Sequence, residues 1–259
     1  MKTDHLKKMY VMILVLFMFG GVIKAQSPYG TTGLLHMPTA EMQSDKTFMF
    51  GGGFLERGTT PDHWTYDTYN YYINITIFPC LEIGYSCTLH KGEPGYSWPE
   101  QTWGKFTNQD RQFSARVRAV KEGQFGKYIP AIVLGCNDVL TLWSSDHRGT
   151  FSLPDATSNG YWNRLYIAAT KHFDLKGELG IHAAYVYNRR KDYPLNGSAF
   201  GLNWKPWFHK NLNLMTEYDS RTVNCGLGYT FWKDHINLIG ELNDFKYVSA
   251  GVVFKVHLK

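Results

Sequence analysis

The feature that most constrains this chain is an alternation of apolar with polar or small residues, sustained from residue 47 to the end in runs of about ten. In residues 81–90, Leu81, Ile83, Tyr85, Cys87 and Leu89 share one face, and Glu82, Gly84, Ser86, Thr88 and His90 share the other. The division recurs over residues 175–185 and 223–231. It recurs again where Val248, Ala250, Val252, Phe254, Val256 and Leu258 oppose Tyr247, Ser249, Gly251, Val253, Lys255 and His257. A period of two is the strand period, because successive side chains point to opposite faces. About twelve such runs are present, at residues 47–56, 66–78, 80–91, 109–121, 128–138, 161–172, 175–188, 196–205, 210–218, 221–232, 235–243 and 245–258. Stretches with helical period are essentially absent.

Long strands with one greasy face suit a soluble sandwich or a membrane barrel, and two further observations favour the barrel. Connections after the second, fourth and later even-numbered runs are mostly short, whereas those after the first, third and fifth are long, as in residues 92–108 and 139–160. Such sorting is the habit of outer-membrane barrels. The polar faces also carry ionisable groups, among them Arg116, Arg118, Glu178 and His182. Buried charge needs water or a partner, which a hydrated lumen supplies. Tyr69, Tyr71, Phe78, Trp162, Trp204, Trp207, Phe231 and Trp232 lie near strand ends, as interfacial girdles would require.

The expectation is therefore an all-β chain, a single transmembrane antiparallel β-barrel of about 12 strands over residues 46–259, with short periplasmic turns and longer external loops. Residues 1–25 read as a secretory signal peptide, with Lys2, Lys7 and Lys8 ahead of an apolar run that is too short to span a bilayer as a helix. Residues 26–45 form an N-terminal leader on the periplasmic side or folded into the barrel mouth. Within it Gly30 and Gly33 permit a tight path and Pro38 ends any helix. Gly51, Gly52 and Gly53 would let another backbone approach the first strand.

Charge and cysteine content exclude several classes. The sequence has 27 basic and 22 acidic residues; Lys2, Lys7, Lys8, Lys24 and Asp4 lie in the signal segment, which leaves 23 against 21 and no footprint for nucleic acid. Cys80 and Cys87 sit too far apart along one extended run to pair, and Cys136 and Cys225 read as free thiols. No Cys-x-x-Cys pair or His-x-x-x-His cluster points to a metal, and no cofactor is expected. Ser145, Asp146 and His147 supply the residue types of a hydrolase in one external loop, but adjacency in sequence is not a triad and no Gly-x-Ser-x-Gly elbow is present, so no enzyme is expected. Asn74-Ile75-Thr76 matches a glycosylation acceptor by chance within a strand.

Several blocks, in order, resemble the YjbH family of outer-membrane β-barrels linked to exopolysaccharide and capsule production. Gly30-Thr-Thr-Gly33-Leu34-Leu35-His36-Met37-Pro38-Thr39-Ala40 is similar to the family's Gly-x-x-Gly-Leu-x-x-x-Pro-Ser/Thr-Ala leader. Phe78-Pro79-Cys80-Leu81-Glu82-Ile83-Gly84, residues 130–138 and residues 166–173 continue the likeness. The resemblance implies a non-enzymatic barrel that assists export or surface assembly of a polysaccharide. Its partners would be outer-membrane lipid, the polysaccharide, and periplasmic or lipoprotein export components. On that reading the lumen-side residues Tyr72, Asn74, Arg116, Arg118, Glu178 and His182 are candidates to touch glycan, with Arg116 and Arg118 foremost for an acidic one; each could equally serve a salt bridge within the lumen. A general diffusion pore or structural barrel is the alternative.

Overall fold

The computed structural model describes Ser27 and residues 29–60, 64–94, 98–138, 142–143, 147–148, 162–188 and 195–258. The signal peptide expected over residues 1–25 lies outside them, as do Ser145 and Asp146.

Each alternating run forms a strand. The chain order is β1 (Thr47–Leu55), β2 (Thr68–Phe78), β3 (Leu81–Lys91), β4 (Phe106–Val120) and β5 (Ala131–Asn137). A two-residue hairpin follows, β6 (Leu142–Trp143) with β7 (His147–Arg148). The chain continues with β8 (Arg164–Asp174), β9 (Gly177–Tyr187), β10 (Gly197–Pro206), β11 (Leu212–Tyr218), β12 (Val223–Phe231), β13 (Ile236–Asn243) and β14 (Tyr247–His257). Apart from the hairpin, each strand pairs antiparallel with its neighbours, β5 pairs directly with β8, and β1 pairs with β14 from Thr47↔His257 to Phe54↔Ala250. The result is a closed antiparallel barrel of twelve strands, which leaves no free sheet edge.

Register decides which face is wet. Even-numbered residues of β2, β3 and β4 point inward, so Tyr72, Asn74, Glu82 and Arg116 are buried while Tyr71, Ile73, Ile83, Phe113 and Val117 are exposed on the outside. The outer surface has a middle band of aliphatic side chains, including Ile73, Leu134, Ile167, Leu202 and Leu227. Aromatics flank it. Phe78, Phe173, Trp207 and Trp232 ring the end with short turns, and Tyr69, Phe106, Tyr187 and Tyr218 ring the end with longer loops. An aliphatic belt between two aromatic girdles is the outward face of a transmembrane barrel. No helix among the described residues is long and apolar enough to cross a membrane; the crossing elements are the strands. Trp162 departs from the girdle expectation: it precedes β8, turns inward, is buried, and packs on Tyr29 with ring centroids 4.7 Å apart.

The three successive glycines of β1 lie against neighbouring strands. A Cβ at Gly51 would fall 2.3 Å from the Val252 carbonyl of β14, and one at Gly52 would fall 2.5 Å from the Asn70 carbonyl of β2. At the loop end the β13–β14 connection is a tight hairpin in which Asp244 and Phe245 both have positive φ, 47° and 55°. That is the conformation of a two-residue turn matched to strand twist.

Candidate functional site

The inside of the barrel holds the chain's own leader. Ser27 and residues 29–43 are buried throughout, and Leu34, Leu35, Met37, Ala40 and Met42 form the apolar core together with inward residues of the wall such as Met49, Val133, Ala199 and Met215. Tyr29 reaches the loop end, where its hydroxyl donates to the Thr59 carbonyl at 3.1 Å. The chain then descends to Thr32 beside Glu82, near the turn end of β3. Residues 33–38 fold back as a tight turn, with a Gly33↔Pro38 bridge and Leu34 N donating to the Met37 carbonyl at 3.3 Å, and carry His36 back up toward the loops. Ala40 and Glu41 descend again past β8, and Leu258 N donates to the Lys46 carbonyl at the turn end. Gly30 is required by this path, since its φ is +90° and a Cβ there would lie 2.6 Å from the Tyr72 ring.

A segment threaded through a barrel has no sheet partner for its backbone, so the wall must supply one. Arg116, which is 1% exposed, donates from its guanidinium to the carbonyls of Thr32, Thr39 and Glu41, the last at 2.7 Å. Glu82 accepts from Thr32 N at 3.0 Å and Thr32 Oγ1 at 2.7 Å, and from Asn74 Nδ2 at 2.9 Å. Asn74 Nδ2 also donates to the Gly30 carbonyl at 3.0 Å. On the opposite wall Glu217 accepts the backbone N–H groups of Leu35, His36 and Met37 at 2.7–3.2 Å. Thr170 Oγ1 accepts from Ala40 N at 2.9 Å.

His36, at the tip of the turn, is gripped on both ring nitrogens. Nδ1 lies 3.0 Å from Asp219 Oδ2 and Nε2 lies 2.6 Å from Glu241 Oε1. Burial alone would lower its pKa, but Glu241, Asp219 and Glu217 outweigh that and raise it well above 6.5, so the ring is an imidazolium with two donors. Burial likewise would raise the Asp219 carboxyl; the His36 bond and charge, with donors from Thr222 N and Asn224 Nδ2, bring it down to about 2. His36, Glu217 and Asp219 have ligand-type atoms within 4.8 Å of one another, as do Glu41, His172 and Glu178. In the first group both Glu217 oxygens already accept backbone N–H groups and Asp219 accepts from the imidazolium. That group is a clamp on the tip of the turn.

Above the tip, at the loop end, the connections enclose a cavity of about 340 Å³. Tyr29, Trp64, Trp162 and Tyr247 contribute aromatic walls, His36 and Asp219 the floor, and Arg57 and Arg221 two cations.

The residues expected to line an open lumen do face inward, but the lumen is filled where most of them stand. Tyr72 packs on Gly30, and Asn74 and Arg116 hold leader carbonyls. His182 bonds Thr170 and Asn203 at 2.9 and 2.8 Å beneath the leader. Arg118 is only part-buried and donates to the Pro79 carbonyl in the β2–β3 turn. Glu178 pairs with Lys205 at 2.6 Å near the β9–β10 turn. At Arg116 the lumen is filled, and its guanidinium is taken up by backbone of the same chain. Glu82, Glu217, Asp219, Glu241 and Asn224 complete the machinery and were not singled out from sequence. Glu82, Glu217 and Glu241 occupy inward positions of alternating strands, and that was the available signal.

The sequence profile of the YjbH family, described as "Exopolysaccharide biosynthesis protein YbjH", matches residues 25–226, from the leader into β12. The chain belongs to the YjbH family. Within this member the matched region contains both Arg116 and Glu217, and β13 and β14, beyond it, close the barrel onto β1. Among solved structures the chain is similar to the outer membrane phospholipase A of Escherichia coli at 12% identity, covering 83% of this chain and 97% of that one with a TM-score of 0.33. It is also similar to the Salmonella typhi outer membrane phospholipase dimer with bound calcium (10%, 83% and 91%, TM-score 0.34) and to the N-terminal β-barrel domain of Pseudomonas aeruginosa OprF (8%, 83% and 100%, TM-score 0.23). No curated protein sequence matches the chain.

Proposed function

We propose that this YjbH-family barrel sits in the outer membrane of a Gram-negative cell, with the short turns periplasmic, and assists export or surface assembly of an exopolysaccharide or capsule without itself being an enzyme. The observation that supports this reading is the pairing of the family match with a closed transmembrane barrel. Periplasmic or lipoprotein export components would meet the turn end, and the secretory signal would be removed on the way. The leader makes the resting state a closed one. A constitutively open diffusion pore fits less well, because Arg116 and Asn74, which would line it, are hydrogen-bonded to the leader.

The test is deletion of the gene followed by measurement of surface polysaccharide amount, length and composition, with complementation by the full chain. Reduced or shortened polysaccharide, restored on complementation, is the expected result; an unchanged polysaccharide would sink the proposal. Gel migration of membrane fractions with and without boiling serves as the folding control, since a folded barrel resists detergent and shifts on heating.

A further inference from the structure

We infer that Glu41 of the leader, His172 of β8 and Glu178 of β9 form a binding site for one divalent transition-metal ion of the zinc type, at the turn end of the lumen. The site does not depend on the export role. The ligand-type atoms of the three residues lie within 4.8 Å of one another, and His172 Nε2 stands 3.1 Å from Glu41 Oε1. Ligands about 2.0–2.2 Å from a tetrahedral ion are about 3.4 Å apart, so a small inward rotation of the side chains completes the set. The inward residue opposite His172 in β9 is Gly180, which puts no side chain in the way.

Glu41 sets this cluster apart from ordinary ion pairing. Its side chain is 4% exposed, and Oε2 is buried with no hydrogen bond from any described residue. A carboxylate oxygen taken out of water without a partner is costly, and a cation beside it removes that cost.

His172 is oriented as a ligand. Glu122, in the β4–β5 connection, accepts from the His172 backbone N at 2.9 Å and meets its Nδ1 at 2.7 Å. In the neutral ring that bond places the proton on Nδ1 and leaves the Nε2 lone pair facing Glu41, the carboxylate-backed arrangement of metal-binding histidines. An imidazole with two carboxylates suits zinc better than calcium or magnesium, which favour oxygen alone.

The neighbouring cations have carboxylates of their own. Lys205 holds Glu178 Oε1 at 2.6 Å, Lys171 holds Glu122 Oε1 at 2.9 Å and Lys255 pairs with Asp234 at 3.1 Å. The second oxygen of Glu178 carries no hydrogen bond among the described residues. With His172 neutral, Glu41, Glu122 and Glu178 outnumber Lys171 and Lys205, and the surplus negative charge draws a cation. His172 and Glu178 are part-exposed, so the ion enters from the turn end. Once bound it ties the leader to β8 and β9 beside the Arg116 grip.

The experiment titrates the full chain, folded in detergent and stripped with EDTA, with zinc chloride by calorimetry; calcium and magnesium chloride are the controls. Saturable binding of one zinc per chain is expected, with a raised thermal unfolding temperature and no comparable response to calcium or magnesium. Glu41→Gln and Glu178→Gln should each weaken zinc binding at least tenfold, with the heat-shift on gels showing that the variants fold. Glu178→Gln, at the exposed rim, decides the question if Glu41→Gln does not fold. Absence of zinc binding to the folded chain, equal binding of calcium or magnesium, or undiminished zinc binding by either folded variant would each overturn the site.

Discussion

The leader is held at two places by opposite chemistry. At the lower grip Arg116 presents a cation to backbone carbonyls, and at the upper grip Glu217 presents an anion to three backbone N–H groups. Both answer one problem, since a backbone removed from water and from the sheet must find partners on side chains. They differ in make-up: the upper grip also includes the His36 imidazolium between Asp219 and Glu241. Charge on the inner wall is thus complementary to an internal ligand, and a count of lumen charges overstates what is offered to an external one.

The comparison breaks most visibly at Arg116. Arg116→Ala leaves the Thr32, Thr39 and Glu41 carbonyls without their donor, and a loss of about 3–5 kcal/mol in denaturant unfolding is expected, together with higher conductance in planar bilayers than the unsubstituted chain gives. Unchanged stability and a silent bilayer would remove the lower grip. Glu217→Gln keeps the shape but sets an amide against N–H groups; about 2–3 kcal/mol and faster hydrogen exchange at the Leu35, His36 and Met37 amides are expected. Exchange confined to Thr39–Glu41 instead would show that the two grips are not independent.

Packing offers a charge-free version. A Cβ at Gly201 would lie 2.3 Å from Leu34 Cδ1 and 2.7 Å from Met37 Sδ, so Gly201→Val should displace the turn at a cost of about 1–3 kcal/mol, read by thermal unfolding. The pH response tests the upper grip. His36 binds its proton more tightly in the folded chain, so its contribution is complete below about 6.5 and is lost as pH climbs through the raised folded value. The depressed Asp219 contributes fully above 3.8 and loses its share as pH falls toward about 2. Exchange at the Leu35–Met37 amides, corrected for intrinsic rate, should therefore rise on the alkaline side; protection that stays unchanged there would contradict the imidazolium grip. Smallest is Glu178→Gln at the turn-end pair with Lys205, where the half-exposed carboxylate predicts a change of about 0–1 kcal/mol in the same unfolding assay.

What could be read from sequence follows the reach of the signal. Period two reports the direction of every residue within a strand, so the twelve barrel strands and the inward side of Tyr72, Asn74, Arg116 and His182 were legible. It says nothing of what stands opposite an inward residue. The partner of Arg116 lies 75–84 positions earlier in the chain, in a segment, residues 30–41, that has no strand alternation of its own. Nor does alternation extend beyond a strand end, which is why Trp162, just before β8, read as a girdle residue and is instead a wall of the cavity.

The seam between β1 and β14 joins residues separated by nearly the whole described chain, and the leader enters the lumen immediately ahead of β1. A contact of such long sequence separation is entropically the last to reward its own formation. The point at which the leader enters and the point at which the cylinder closes are therefore adjacent, and the filling of the lumen and the seal of the wall meet at one place.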